Sequence, residues 1–291
     1  MVEKSRISYS PAQQFPVKVQ DVEYLKHGNT GWLARIYQPQ GHGPFPILLD
    51  VHGGAWNRGD RTNDTVMNQA LAASGVVVAA LDYRLAPQHP YPAQVADVNY
   101  ATRWFKVHAR EFNADPSTLG GLGASSGGHT VMLSAMRPHD PRYASVPLPE
   151  ARNVDASLRY LVCCWPVLDP YARYLYAKKA GHDRLAASGE AYFKDAAAMQ
   201  EGNPQLILER REKVGLPPTL IIQGTNDDNV PMSIPTNFVR EYRANGGQVD
   251  IEIFPGMVHG FANTPGAESD RAIALIKGFI AKQLTRAAVL V

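Results

Sequence analysis

At 291 residues with 45% apolar side chains, the chain is long enough for one large α/β domain with a sizeable core. Its 29 basic and 27 acidic side chains leave a formal charge of +2 and form no polybasic run, which excludes nucleic acid and anionic membranes as expected partners. No apolar run approaches the ~18 residues of a membrane span, and residues 1–8 lack the apolar segment of a secretory leader. A soluble cytoplasmic protein is the expectation.

Residues 17–25 alternate apolar and polar side chains, Gly28-Asn29-Thr30-Gly31 interrupts, and residues 32–37 resume. That pattern predicts an antiparallel hairpin. Five short, predominantly apolar runs follow at 47–51, 76–81, 159–164, 219–223 and 249–254. Strands apolar on both faces are covered on both sides, so these runs predict a mostly parallel sheet flanked by helices, an α/β fold. Cys163 and Cys164 fall in the third run, where neighbours in sequence offer no disulfide framework and read as small core residues of a reducing compartment. Two helices are predicted against the sheet. Residues 92–112 place Val95, Val98, Thr102 and Phe105 on one stripe, with Pro92 at a tolerated position near the start. Residues 270–284 do the same with Ile273, Ile276, Phe279 and Ile280. The interval 166–214 is less regular, holding Tyr171, Tyr174, Tyr176, Tyr192 and Phe193 without a strand pattern. It reads as a helical, cap-like insertion in a single domain spanning 1–291.

Residues 121–128 read Gly-Leu-Gly-Ala-Ser-Ser-Gly-Gly, and two motifs compete for them. A dinucleotide fingerprint needs a following strand with an acid near its end, about 20 residues on. Around Asp140, however, Pro138 and Pro141 exclude a central strand. The other match is Gly-x-Ser-x-Gly, filled by Gly123, Ser125 and Gly127, in which the serine sits on a tight strand-to-helix turn that only glycine at both flanks allows. Centring the frame on Ser126 would put Ala124 at a glycine position, so Ser125 is the candidate nucleophile. A short strand over 118–122 and a helix over 129–136 supply the expected setting.

A serine hydroxyl needs a base to take its proton and an acid to orient that base. With the chain order serine, acid, histidine, His182 and His259 are the downstream candidates. His182 falls in the irregular interval. His259 follows the last apolar run, where loops at the carboxyl ends of parallel strands assemble such sites. The acid belongs on the loop after residues 219–223, which offers Asp227 and Asp228. We assign Asp227 to the role and a structural place to Asp228, with capping of a helix near Pro231 the alternative for either. Residues 52–56, His-Gly-Gly-Ala-Trp, suit a loop whose amides face a developing oxyanion, and the Ser126 N–H adds a donor. His52 precedes the serine and reads as orienting that loop.

Together these residues resemble the hormone-sensitive-lipase-like branch of the α/β-hydrolases, a family of carboxylesterases. His52-Gly53-Gly54-Ala55-Trp56 is similar to its His-Gly-Gly-Gly oxyanion motif, and Asp82-Tyr83-Arg84-Leu85-Ala86-Pro87 followed by Tyr91-Pro92-Ala93 resembles a second family segment. Ser125 stands at the serine of Gly-Asp-Ser-Ala-Gly-Gly, and residues 216–220 match the lead into the strand before the acid. The resemblance covers roughly residues 45–285. It implies an α/β-hydrolase fold, oxyanion N–H groups from Gly54, Ala55 and Ser126, and structural roles for Asp82 and Arg84 beside the site. Three positions depart from the pattern: Ala55 replaces a glycine, Ala124 an aspartate and Ser126 an alanine. Gly120 and Gly121 also make the strand before the serine unusually thin.

The expected activity is hydrolysis of a small to medium carboxylic ester through an acyl-enzyme at Ser125, His259 and Asp227. Arylformamidases share the His-Gly-Gly-x-Trp segment, so amide or formamide hydrolysis by the same triad is the alternative, and a non-catalytic small-molecule receptor the third. No metal or organic cofactor is implied, and a homodimer is left open. Trp56 and the tyrosines of 166–214 suggest an aromatic pocket, with core packing the alternative for each.

Overall fold

The computed structural model describes residues 9–286; the leader of residues 1–8 considered above lies outside the described residues. Eight strands form one sheet: β1 (Val17–His27), β2 (Thr30–Pro39), β3 (Ile47–Val51), β4 (Val77–Leu81), β5 (Gly120–Ala124), β6 (Leu161–Cys164), β7 (Thr219–Gly224) and β8 (Val249–Phe254). Their order is β1-β2-β4-β3-β5-β6-β7-β8. The β1·β2 and β2·β4 pairs are antiparallel, and every other pair is parallel. From β3 the chain moves outward to β4 and then returns to β5 on the other side. Between β3 and β5 the connections therefore diverge, the switch point beyond whose carboxyl strand ends ligands bind in open α/β sheets.

The parallel strands show why an unbroken apolar run marks them. In β4, Val77, Ala79 and Leu81 enter one buried cluster while Val78 and Ala80 enter the other, so each face receives alternate residues. Helices α2 (Ala93–His108), α3 (Ser126–Met136) and α8 (Ser233–Ala244) cover the first face, and α1 (Thr65–Ala73) and α9 (Ala267–Arg286) the second. Val95, Val98, Thr102 and Phe105 are buried on α2, as are Ile273, Ile276, Phe279 and Ile280 on α9. The fold class is thus the expected α/β one.

Local differences have local causes. The hairpin is tighter than the interruption suggested: β1 and β2 continue to His27 and Thr30, leaving Gly28 and Asn29 as the loop, with Gly28 at φ 59°. The strand predicted at 118–122 begins at Gly120, because Pro116–Thr118 forms a 3₁₀ turn capped by Asp115. Its glycines are a packing requirement: a Cβ on Gly121 would approach Val131, Leu158 and Leu161 to 2.9 Å. The helix predicted to begin at 129 begins at Ser126, directly after the candidate nucleophile.

Residues 170–209 hold four helices: α4 (Pro170–Ala180), α5 (Asp183–Phe193), α6 (Ala196–Glu201) and α7 (Pro204–Glu209). Asp169, Asp195 and Asn203 cap α4, α6 and α7 through side-chain oxygens that accept backbone N–H groups, and prolines occupy the first turns of α4 and α7. Tyr192 stacks on Trp56 with ring centres 5.1 Å apart, and Phe193 meets the same indole edge-on at 5.4 Å. All three rings are buried, so they serve as core and do not line an open aromatic pocket.

A buried carboxyl pair braces the second face. Asp50 on β3 accepts a 2.6 Å hydrogen bond from the Asn68 amide on α1, and Asp64 stands beside Asp50 and Asn263 with no partner in full hydrogen-bond geometry. Burial, then the charge of Asp64, pushes the Asp50 carboxyl well above its ordinary range against the Asn68 bond, and burial lifts Asp64 to about 6 against its two neighbours. A carboxyl that binds its proton more tightly when folded stabilises the fold at low pH, and that contribution is lost as pH rises from 3.8 through about 6. Buried His129, held down at about 4, acts in the opposite sense over the same interval. The Asp64→Asn variant separates them: followed by urea unfolding, its stability should climb more steeply between pH 4 and pH 6 than that of the native chain. An unchanged slope would remove Asp64 from this role.

Candidate active site

Ser125 joins β5 to α3 with no intervening loop, and this abrupt turn puts it at φ 54° and ψ −118°. Such a backbone is strained for an L side chain and persists only where its surroundings hold it. Here the Ser125 N–H donates to the Cys164 carbonyl (2.9 Å), and the Ser125 carbonyl accepts from the Val167 N–H (3.1 Å). The flanking glycines are required by close approach. A Cβ on Gly123 would lie 2.7 Å from the Gly127 carbonyl oxygen, and one on Gly127 would collide with the carbonyls of Val51 and His52.

His259 lies in the loop after β8. Its Nε2 is 2.9 Å from Ser125 Oγ and its Nδ1 is 2.8 Å from Asp227 Oδ2. A carboxylate only accepts, so Nδ1 carries the proton and donates to Asp227, leaving Nε2 to accept from the Ser125 hydroxyl. Asp227, on the loop after β7, takes three further donors. Its Oδ1 accepts from the Asn229 N–H (2.9 Å) and the Val230 N–H (2.8 Å), and its Oδ2 accepts from Gln223 Nε2 (2.9 Å). Burial raises its pKa, but the His259 bond and charge, the Val230 amide and Gln223 outweigh that and hold it below the ordinary value. Asp228 is exposed, and among the described residues its one hydrogen bond is through its backbone carbonyl, which accepts from the Tyr176 hydroxyl at 3.1 Å. Neither aspartate caps α8, which starts after Met232 with no side-chain cap. His182 precedes the first residue of α5 and packs by Tyr176, outside this line of side chains.

The segment after β3 bends sharply, with Gly54, Ala55 and Trp56 all at positive φ (126°, 50° and 63°). Ala55 therefore holds a conformation that glycine adopts at no steric cost. The bend is closed by Asn57 and Arg58 N–H groups donating to the Gly54 carbonyl (3.1 and 3.2 Å). Among the described residues the amides of Gly54, Ala55 and Ser126 donate to nothing, although all three lie at this turn and at the start of α3. His52 is buried; its Nδ1 donates to the Gly53 carbonyl at 2.6 Å, its ring stacks on Tyr83, and the Tyr83 hydroxyl donates to the His52 carbonyl at 2.6 Å. Asp82 accepts from the Arg61 N–H and guanidinium, and Arg84 pairs with Asp97 of α2.

Two polar links here escaped the sequence reading. The Trp56 N–H donates to Ser126 Oγ at 3.2 Å, so the serine that replaces an alanine ties the loop to α3. His129, one turn into α3, accepts from the Trp56 indole N–H (3.2 Å) and donates from Nε2 to the Gly202 carbonyl (2.8 Å). Its only sequence signal was its place four residues after Ser125. Ser126→Ala keeps the backbone N–H but leaves the Trp56 amide buried without an acceptor, which should cost about 1–2 kcal/mol. Denaturant unfolding of that variant checks the value, and no loss of stability would mean that the loop does not depend on this link.

Residues 35–241 match the model of the BD-FAE family. The chain belongs to that family. This BD-FAE chain is 31% identical to Esterase LipC of Mycobacterium tuberculosis over 245 residues, covering 80% of itself and 58% of LipC. It is also 31% identical to Carboxylic ester hydrolase LipN of the same organism over 264 residues, covering 87% of itself and 66% of LipN. The chain thus spans about three fifths of the length of these relatives. In fold it matches a thermophilic esterase from Thermogutta terrifontis (TM-score 0.73, 23% identity, 91% of this chain and 94% of that one). It likewise matches EstE1, a carboxylesterase cloned from a metagenomic library (TM-score 0.75, 23% identity, 93% and 91%). The BD-FAE chain therefore has the α/β-hydrolase fold, and these findings bear out its resemblance to the hormone-sensitive-lipase-like branch. No helix of the described residues is long and apolar enough to cross a membrane.

Proposed function

We propose that this protein is a serine carboxylesterase acting on small to medium esters. The observation that carries the reading is the unbroken line Ser125 Oγ, His259, Asp227, facing a turn whose amides are unengaged. His259 Nε2 takes the Ser125 proton as Oγ attacks the ester carbonyl. The oxyanion that forms is held by the N–H groups of Gly54, Ala55 and Ser126, in a desolvated setting where such donors act strongly. As the intermediate collapses, the imidazolium returns its proton to the leaving alcohol and the acyl group stays on Ser125. Water, deprotonated by the same nitrogen, then releases the carboxylic acid. The relatives' printed names, esterase and carboxylic ester hydrolase, support the ester as the bond cleaved.

On this reading the chain is one domain and residues 166–214 form its cap. Tyr192 on Trp56 and Arg173 on Asn229 tie that segment to both the oxyanion turn and the acid loop. Buried, unbridged Cys163 and Cys164 suit a reducing cytoplasm. The test is turnover of p-nitrophenyl butyrate together with intact-mass analysis after a phosphonate ester, which should add one adduct, on Ser125. Turnover without labelling at Ser125, or neither, would overturn the proposal.

A further inference from the structure

Arg173 on α4 is 2% exposed, yet no carboxylate pairs with its guanidinium among the described residues. Its Nη2 and Nε donate to Asn229 Oδ1 (2.6 and 3.2 Å), Nε also lies 3.4 Å from the Asn229 carbonyl, and the cation sits 5.7 Å from the Trp56 ring centre. Nη1 has no partner. A buried charge without a counter-ion is expensive to the fold, so the residue needs a reason to be there. Asp227 is near enough to favour the charged form, but its oxygens are occupied by His259, Gln223 and two amides. Burial lowers the Arg173 pKa to about 10, Asp227 opposes this and Arg58 adds to it, so the group remains a cation at neutral pH. Arg58, two residues past Trp56, is exposed and has no ion pair among the described residues, and its stem lies against Gly54. Two cations thus flank the oxyanion turn, one deep and one at the rim, neither with an ion-pair partner among the described residues.

We propose that Arg173, with Arg58 at the rim, is an anion subsite, and that the substrate is an ester whose acyl chain ends in a carboxylate, a half-ester of a dicarboxylic acid. This rests on the esterase reading above. The alcohol departs where His259 protonates it, and that side chain is 20% exposed. On this proposal the acyl chain, held on Ser125, extends towards Arg173, which is bound to Asn229 of the acid loop and lies beside the Trp56 ring. The remaining Nη1/Nη2 edge of a planar guanidinium matches the two oxygens of a carboxylate.

The probes are mono-p-nitrophenyl glutarate and p-nitrophenyl pentanoate, of equal chain length and differing in the terminal carboxylate. The native protein should prefer the glutarate in kcat/KM by about tenfold or more, and Arg173→Gln should lower that ratio by about 10–100-fold, chiefly through KM. Arg58→Gln should lower it less, and added salt should mimic Arg58→Gln more than Arg173→Gln. Arg173→Lys, which keeps the charge, should retain part of the preference. If Arg173 served only to hold Asn229 and the acid loop, Arg173→Gln would slow both esters equally. An unchanged ratio, or a native ratio at or below one, overturns the subsite. Should neither ester turn over and Ser125 resist the phosphonate, the esterase reading fails separately. The subsite is then judged by glutarate raising the melting temperature of the native chain and not of Arg173→Gln, and no shift in either overturns it.

Discussion

Ser125→Ala should lower kcat on p-nitrophenyl butyrate by roughly 10⁵–10⁶-fold, the loss found when a nucleophile is deleted from a working triad. Its stability should stay close to native. The substitution keeps the backbone N–H of Ser126, the Gly54 and Ala55 amides and the His259 to Asp227 bond, so only the Ser125 hydroxyl is lost. Alanine suffers at φ 54° much as serine does, and the backbone anchors to Cys164 and Val167 do not involve the hydroxyl. What activity survives would come from the oxyanion donors acting on water. A variant purified free of native enzyme that still turned over at a tenth of the native rate or more would show that Ser125 is not the nucleophile, whatever its distance from His259.

The parts of this molecule that were readable in advance are those where one local rule dominates. The 249–254 segment coincides with β8, though only Val249 and Phe254 are buried on it, and Val95, Val98, Thr102 and Phe105 lie buried on α2, where apolar periodicity and burial are nearly the same property. Ser125, His259 and Asp227 meet because each follows the carboxyl end of a parallel strand, Ser125 at the abrupt turn after β5 and the other two in the loops after β8 and β7. α1 was invisible for the opposite reason. Its buried face includes Asn68, which reaches Asp50, and a polar residue on the inner stripe conceals the period. The helices of 170–209 are short, and their caps carry more information than their stripes: Asp169-Pro170 and Asn203-Pro204 were start signals that the irregular apolar pattern obscured. Arg173 lay beyond any sequence rule. An arginine among tyrosines and lysines on a polar helix reads as a solvated face, and only the docking of α4 on the acid loop buries it.

Asp227→Asn should cost roughly 10⁴-fold in kcat on the same ester, while Asp228→Asn stays within about twofold of native. The surroundings of Asp227 explain why so small a change acts so strongly. Oδ1 is fixed by two N–H donors, from Asn229 and Val230, so the one oxygen of an asparagine must stay there. Its NH₂ then occupies the place of Oδ2, facing Gln223 Nε2 and His259 Nδ1, both of which donate in the native site. Gln223 loses its shortest bond and keeps only the 3.3 Å contacts to the Gly224 and Val230 carbonyls, and His259 can relieve the clash only by moving its proton to Nε2. That nitrogen would then point a hydrogen at Ser125 instead of accepting one, and general-base catalysis stops with the geometry intact. The same donors hold the Asp227 pKa down, so its stabilisation is present above the unfolded value of 3.8 and is lost as pH falls through the lower folded value. Asp227→Asn should therefore be less stable than native at neutral pH, by about 1–3 kcal/mol for the buried donors left facing one another, and that gap should close in strong acid. Steady-state kinetics paired with urea unfolding at two pH values check both arms. A larger loss in Asp228→Asn would move the acid one residue along the loop and leave the four donors around Asp227 as loop architecture alone.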